Sequence, residues 1–274
     1  LIKSGIVFGK NGSGKSNLGY ALFDIINHLA DGVQKDNDYY DNFVYANHAD
    51  GLVKFTYLFL LDGQELEYRY SKTESGELVA EELKCNGDLI LSLEKNGALI
   101  LHGFDFSDRV KQDIEQGGNA VSVVKFLLAS TPLPSGHYLL NLQSFVEQML
   151  WFQNLDERRY LGLKSSERTL SRFILKNDLV DDLQNFLEET SEQSYSLLRL
   201  EGDEDWLYCT VDGELIPLLA IASTGTRSLF LLYCWMKQVE QQRASFVFID
   251  EFDAFYHFAL SKAVSKRLFN LPAQ

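Results

Sequence analysis

The sequence predicts an α/β fold carrying an antiparallel β lobe and a short helical insertion. Three observations predict it. The apolar run Gly5-Ile6-Val7-Phe8 passes directly into a glycine-rich loop, and then into apolar residues at helical spacing: Leu18, Leu22, Ile25, Ile26 and Leu29. The stretch FTYLFLLDGQELEYRY places an Asp-Gly pair, Asp62-Gly63, between two runs rich in aromatic residues, the pattern of a hairpin. Near the other end, Phe246-Val247-Phe248-Ile249 reads as a buried strand that runs into acidic residues.

In chain order, residues 5–8 are expected as a strand, residues 9–16 as a loop, and a helix follows through Leu29. From Phe43 to about Leu101 strands are expected, with further turns at Gly76 and Asn86-Gly87. Residues 103–120 have no clear period and read as a loop or short helix. Residues 121–190 are helical in character. Leu139, Leu142, Phe145, Val146, Met149 and Leu150 fall on one face, and Leu179, Val180, Leu183, Phe186 and Leu187 repeat the spacing. No heptad is sustained, so no long coiled coil is expected. Strands return over 196–221 around Asp212-Gly213, and a helix from Thr226 to Gln241 leads into the strand at 246–249. The expected divisions are 1–106 (N-terminal part of the core with the β lobe), 107–195 (helical insertion) and 196–274 (C-terminal part of the core).

Composition bounds the function. The 274 residues carry 25 Lys and Arg against 39 Asp and Glu, a formal charge of −14. With 46% hydrophobic residues and only 4 prolines, the chain is neither disordered nor a disulfide scaffold. The acidic balance argues against a chain that coats nucleic acid, because that affinity rests on cations that neutralise phosphates. Cys85, Cys209 and Cys234 are far apart and lack metal-ligand spacing, so a reduced, cytoplasmic setting is expected. No apolar stretch approaches the roughly 20 residues of a membrane helix. The chain opens on LIKSGIVFG without a methionine, so it is expected to begin after the native start.

The sharpest chemical signal is GKNGSGKS at residues 9–16, which fits the phosphate-binding loop pattern throughout. Gly9, Gly12 and Gly14 let the backbone turn its N–H groups toward phosphate oxygens, with Lys10, Asn11 and Ser13 between them. The helix N-terminus after the loop adds its positive end. Lys15 is placed to set an ammonium on the β- and γ-phosphates, and Ser16 to offer a hydroxyl to Mg²⁺. In FVFIDEFD, at 246–253, the strand delivers Asp250 to the sheet edge where the loop opens. That makes Asp250 a second candidate for Mg²⁺, and Glu251 the candidate to orient or deprotonate an attacking water. Ser223-Thr224-Gly225-Thr226-Arg227 precedes a helix and makes either a second phosphate-binding surface or a plain helix cap.

Together GKNGSGKSNL, STGTRSLF and FVFIDEFDAFYH resemble the ABC-class ATPases of the OLD/RecF/SMC group. The nearest likeness is to stand-alone bacterial AAA-type ATP-binding proteins of phage-defence systems, of the RloA, AbiL and PARIS AriA kind. The resemblance implies a slow ATPase, with ATP and Mg²⁺ as cofactors, that sandwiches nucleotide between two copies. Gly9 to Asn17, Asp250 and Glu251 would act from one copy. Ser223, Thr224, Gly225, Thr226 and Arg227 would approach from the other, and Asp253 would touch the partner across the dimer. The implied role is a switch that controls an effector in anti-phage defence, such as a TOPRIM-type nuclease. The sequence departs from the family pattern at two points. Gln64 sits in a hairpin turn, unsuited to the Mg²⁺-sensing glutamine, and His257 comes too soon after Glu251 to be the switch histidine. Lys15 and Glu251 are 236 residues apart, far more than a compact transporter motor needs.

Lys164, Arg168, Arg172 and Lys176 recur every four residues and stack on one helix face, with Arg158 and Arg159 just upstream. This stripe is the main basic concentration. It reads either as a nucleic-acid contact, which favours a DNA-maintenance ATPase of the RecF kind, or as a solvated face pairing with Asp178, Asp181, Asp182, Glu188 and Glu189. A P-loop kinase is disfavoured by the adjacent Asp250 and Glu251.

Overall fold

Three Asp-Gly or Asn-Gly pairs that join strands form the tight turn their chemistry favours. Asp62 and Gly63 have φ of 48° and 77°, Asn86 and Gly87 50° and 87°, and Asp212 and Gly213 49° and 86°. Two consecutive positive φ values define the type I′ turn, whose twist matches that of the strands it joins. A computed structural model describes residues 5–30, 51–94, 98–104, 122–154, 159–161, 167–191, 194–241 and 244–250. The chain divides into two compact units, Ala21–Glu147 and Leu1–Tyr20 with Gln148–Gln274. The boundary falls inside helix α1 (Lys15–Leu29).

In the first unit, β1 (Leu52–Leu61), β2 (Gln64–Thr73), β3 (Leu78–Cys85), β4 (Asp88–Leu93) and β5 (Leu99–Leu101) form an antiparallel meander in chain order. Alternation sends Leu66, Tyr68 and Tyr70 inward from β2, and they are buried, as are Phe23, Ile26 and Leu29 of the same unit. Helix α2 (Val123–Ser130) is capped by Ser122, and α3 (Tyr138–Glu147) brings Phe145 edge-on to Phe59 at 5.4 Å.

The core of this unit is partly polar. Lys72 Nζ donates to Asp24 Oδ2 at 2.6 Å, and the Tyr70 hydroxyl donates to the same oxygen at 2.7 Å. Glu81, 1% exposed, accepts from Tyr68, from Ser122 and from the N–H groups of Val123 and Val124 at the start of α2. Burial pushes the Glu81 carboxyl up, and these donors oppose the shift. Since Tyr68 gives its proton to Glu81, the 2.9 Å contact with His28 requires His28 Nε2–H to be the donor.

In the second unit, β6 (Met149–Asn154) lies between β11 (Phe246–Ile249), which is parallel to it, and β7 (Arg159–Leu161), which is antiparallel. Helices α4 (Glu167–Lys176), α5 (Val180–Ser191) and α7 (Thr224–Glu240) share one core, in which Ile174, Leu183, Leu187, Phe230 and Tyr233 are buried. Ser228 to Met236 of α7 are all buried, so the longest apolar run is a helix enclosed on every side. A second small sheet, in the order β10, β9, β8, comprises β8 (Leu197–Leu198), β9 (Tyr208–Val211) and β10 (Glu214–Pro217). The short α6 (Leu218–Ile221) follows it.

Three expectations need correction. Residues 5–8 do not form a strand: Ile6, Val7 and Phe8 are 59%, 54% and 86% exposed, and no strand among the described residues pairs with them. An apolar run becomes a strand only when neighbours take up its backbone groups. Met149 and Leu150 leave the helical face assigned to them because Phe246 and Val247 pair with them in a parallel ladder. The compact units are bounded at 20/21 and 147/148. Helices α4 and α5 pack on α7, and α2 and α3 belong with the antiparallel sheet. The strands expected over 196–221 end at Pro217, which has no N–H for a ladder and caps α6. Residues 105–120 lie outside the described residues.

Candidate nucleotide-binding site

Residues 9–14 form an exposed loop whose backbone needs glycine at defined places. Gly12 and Gly14 have φ of 77° and 89°, a region that side chains with a Cβ disfavour. A Cβ on Gly9 would run into Ser13 Oγ. Ser13 N–H closes the turn onto Lys10 O at 3.1 Å, and Leu18 N–H bonds to Gly14 O at 3.1 Å, which starts α1. The first N–H groups of a helix have no acceptor within it, and α1 carries no acidic residue in its first turn to offset its positive end.

Lys15 is the first residue of α1, and its ammonium turns back over the loop to donate to Gly9 O at 3.0 Å and Lys10 O at 3.1 Å. Ser16 and Asn17 follow, both exposed. The arrangement is a glycine-turned loop ahead of a helix N-terminus with one ammonium folded over it, and it fits a phosphate chain. Ser16 and Asp250 are the oxygen donors here that suit Mg²⁺, a hard cation that takes one or two protein ligands beside phosphate and water. Asp250 directly follows β11 and is half-buried. Glu251, Asp253 and His257 lie outside the described residues.

Sequence reasoning missed what seats the loop. Gly19, one turn beyond Ser16, lies against the Trp151 ring of β6 and the Phe248 ring of β11. Tyr20 packs edge-on to Trp151, with ring centroids 4.9 Å apart. A glycine inside a helix pattern was the available signal, since it usually marks close packing.

The string before α7 divides in role. Ser223 caps the helix, its Oγ accepting from Thr226 N–H at 3.1 Å. Thr226 is 4% exposed and shares its hydroxyl with Ser223 Oγ at 2.9 Å and the Tyr195 hydroxyl at 3.1 Å, so it is an internal prop. Arg227 Nε donates to Ala222 O at 3.1 Å. Ser223, Thr224 and Gly225 are exposed and present the helix N-terminus to solvent. The loop, Asp250 and this N-terminus all belong to the same compact unit.

The basic stripe is engaged otherwise than expected. Arg168 and Arg172 both grip Asp205, 37 and 33 residues away, whereas Asp182 of the acidic run takes Lys237 and the Tyr233 hydroxyl. Lys176, at the end of α4, lines a shallow cleft with Leu175, Arg199 and Glu204. Arg159 opens β7, and Arg158 and Lys164 lie outside the described residues.

The two guanidiniums hold the Asp205 carboxyl down at about 2. A depressed folded value stabilises above the ordinary carboxylate value of roughly 3.9, and that contribution fades as pH falls from there to the folded value. The melting-temperature gap between the wild type and Asp205→Asn is therefore expected to be small and level above about pH 5, and to close between about pH 4 and pH 2. A gap that stays level down to pH 2 would contradict the pairing.

No helix among the described residues is long and apolar enough to cross a membrane. The three cysteines are buried free thiols. A family model described as "AAA domain, putative AbiEii toxin, Type IV TA system" matches residues 6–274. No curated protein matches the chain.

Proposed function

The chain belongs to the AAA-domain family whose model spans it, a family of P-loop ATPases, and on that premise we propose that it is an ATP-driven switch subunit. In this reading ATP and Mg²⁺ bind at residues 9–17 and Asp250, two copies close over the nucleotide, and slow hydrolysis resets them. The finer kinship is with the OLD/RecF/SMC group and with the ATP-binding subunits of phage-defence systems. The toxin–antitoxin wording of the family description supports a setting of that kind.

One observation carries the reading: Lys15 and the glycine loop stand at the start of α1, and the same helix packs at Gly19 on β11, the strand that Asp250 directly follows. When bound, the nucleotide's triphosphate supplies the negative charge that both copies attract. Gly12 and Gly14 would turn N–H groups toward it, Lys15 would leave its two carbonyls to bind it, and Ser16 with Asp250 would hold Mg²⁺. Glu251 would take up the proton of the attacking water. Ser223 and Gly225, exposed at the start of α7, would complete the site in the other copy. A few kcal/mol of preference for the closed state is enough to switch a population, and two shared nucleotides are a sufficient source. The controlled partner would be an effector protein, such as a TOPRIM-type nuclease. Direct DNA binding by the stripe has less support, because Arg168 and Arg172 already satisfy Asp205.

The test is the mass of the Glu251→Gln protein in solution with and without ATP and Mg²⁺. Hydrolysis stops, nucleotide is retained and the species with ATP has twice the mass of the species without. A monomer that retains ATP would refute the sandwich while leaving the binding site intact.

A further inference from the structure

Glycine is the poorest helix former after proline, so its presence at position 19, inside α1, calls for a packing reason. The reason is the absence of room. A Cβ at Gly19 would land on the Trp151 ring, 2.7 Å from Cε2, and 3.0 Å from Phe248 Cε1. Ordinary carbon contacts lie at roughly 3.5–4.0 Å, so accommodating a methyl requires about 1 Å of movement. Trp151 has little freedom to yield. It is 1% exposed, it packs edge-on to Tyr20 and to Phe248, and its strand is laddered to β11 on one side and β7 on the other. The helix is the element that must lift.

We propose that Gly19 and Trp151 form a positioning pair that sets how closely the first turn of α1 approaches β11, and so how far Ser16 stands from Asp250. The inference rests on the nucleotide-binding reading above. Ser16 is three residues before Gly19, which is nearly one helical turn. Asp250 is two residues after Phe248 on the strand that Gly19 touches. The two oxygen donors that suit Mg²⁺ are thus carried by elements that meet at this glycine. Mg²⁺ tolerates little change, since it holds its ligands at about 2.0–2.1 Å in near-octahedral geometry. The glycine loop is less exposed to the same displacement, because its donors move together with the helix. Lifting α1 would therefore weaken the metal-dependent part of nucleotide binding and spare the rest.

The experiment titrates a fluorescent ATP analogue into the full chain, once with Mg²⁺ and once with EDTA, for the wild type, Gly19→Ala, Trp151→Leu and the double variant. Thermal melts of each protein without nucleotide are recorded alongside. Gly19→Ala is expected to bind within about 3-fold of wild type in EDTA and to lose at least about 10-fold of the affinity gained with Mg²⁺. The double variant, in which the ring is replaced by a smaller group, regains most of that gain. A lost or lowered melt alone, with the Mg²⁺ gain intact in the folded protein, overturns the proposal. If Gly19→Ala does not fold, the double variant decides: folded with the Mg²⁺ gain supports the pair, folded without it overturns the pair. A wild type that binds the analogue, matched by Gly19→Ala in both conditions, overturns the positioning role alone. A wild type that binds no analogue overturns the site and this inference together.

Discussion

Lys15→Ala loses at least about 100-fold in affinity for ATP, while its melting temperature stays close to that of the wild type. A charge-assisted hydrogen bond contributes about 1.5–3 kcal/mol, and an ammonium set between two phosphates makes more than one of them. Roughly 3 kcal/mol is already about 100-fold in a dissociation constant. The fold has little to lose. The bonds from Lys15 to Gly9 O and Lys10 O lie on an exposed loop, where water replaces the ammonium at small cost. Lys15→Arg is expected to recover only part of the affinity, because a planar fork on a longer stem does not reproduce a compact point charge. Titration of labelled ATP, paired with a thermal melt, checks both halves. Wild-type affinity in Lys15→Ala would place the phosphate grip elsewhere. A large loss of melting temperature would make Lys15 a structural residue.

The parts of this site that were legible in the sequence are those whose chemistry is local. A phosphate loop needs positive φ and close backbone approach within a few residues, so Gly9, Gly12, Gly14, Lys15 and Ser16 stand out as its candidates by spacing alone. The same holds for the turns at Asp62-Gly63, Asn86-Gly87 and Asp212-Gly213, where two residues decide the geometry. What stayed hidden depends on partners far along the chain. Arg168 and Arg172 show helical spacing, but nothing near them names Asp205 as their anion. Met149 and Leu150 continue a helical pattern, and only a ladder to residues almost 100 positions later makes them a strand. Ile6, Val7 and Phe8 show the converse: strand-forming residues stay irregular when no described strand receives them. Gly19 lies between these cases, since its oddity is visible in the sequence and its cause, Trp151, is not.

The most destabilising single change is expected in the unit that holds the antiparallel sheet, at Lys72. Its ammonium and the carboxylate of Asp24 are 3% and 0% exposed and stand 2.6 Å apart, so neither charge has water to fall back on. The Tyr70 and Phe55 rings beside the ammonium, at 5.1 Å and 5.9 Å, offer their negative faces to the same cation. Lys72→Met keeps most of the volume and removes the charge, which leaves Asp24 as a buried anion with the Tyr70 hydroxyl as a neutral donor. Breaking such a pair from one side costs about 3–5 kcal/mol, whereas the intact pair is worth much less than that when both partners are replaced together. The double variant Asp24→Asn/Lys72→Met should therefore recover most of the loss, because the amide oxygen still accepts from Tyr70 and no net charge stays buried. Urea unfolding followed by far-UV circular dichroism reads the whole chain, and the part of the transition that tryptophan fluorescence does not share belongs to this strand-rich unit. All three tryptophans, Trp151, Trp206 and Trp235, lie in the other unit, so their fluorescence reads that unit separately. If the single and double variants lose the same amount, the cost is packing around the lysine stem, and the charge pair is not what holds the rear of α1 to β2.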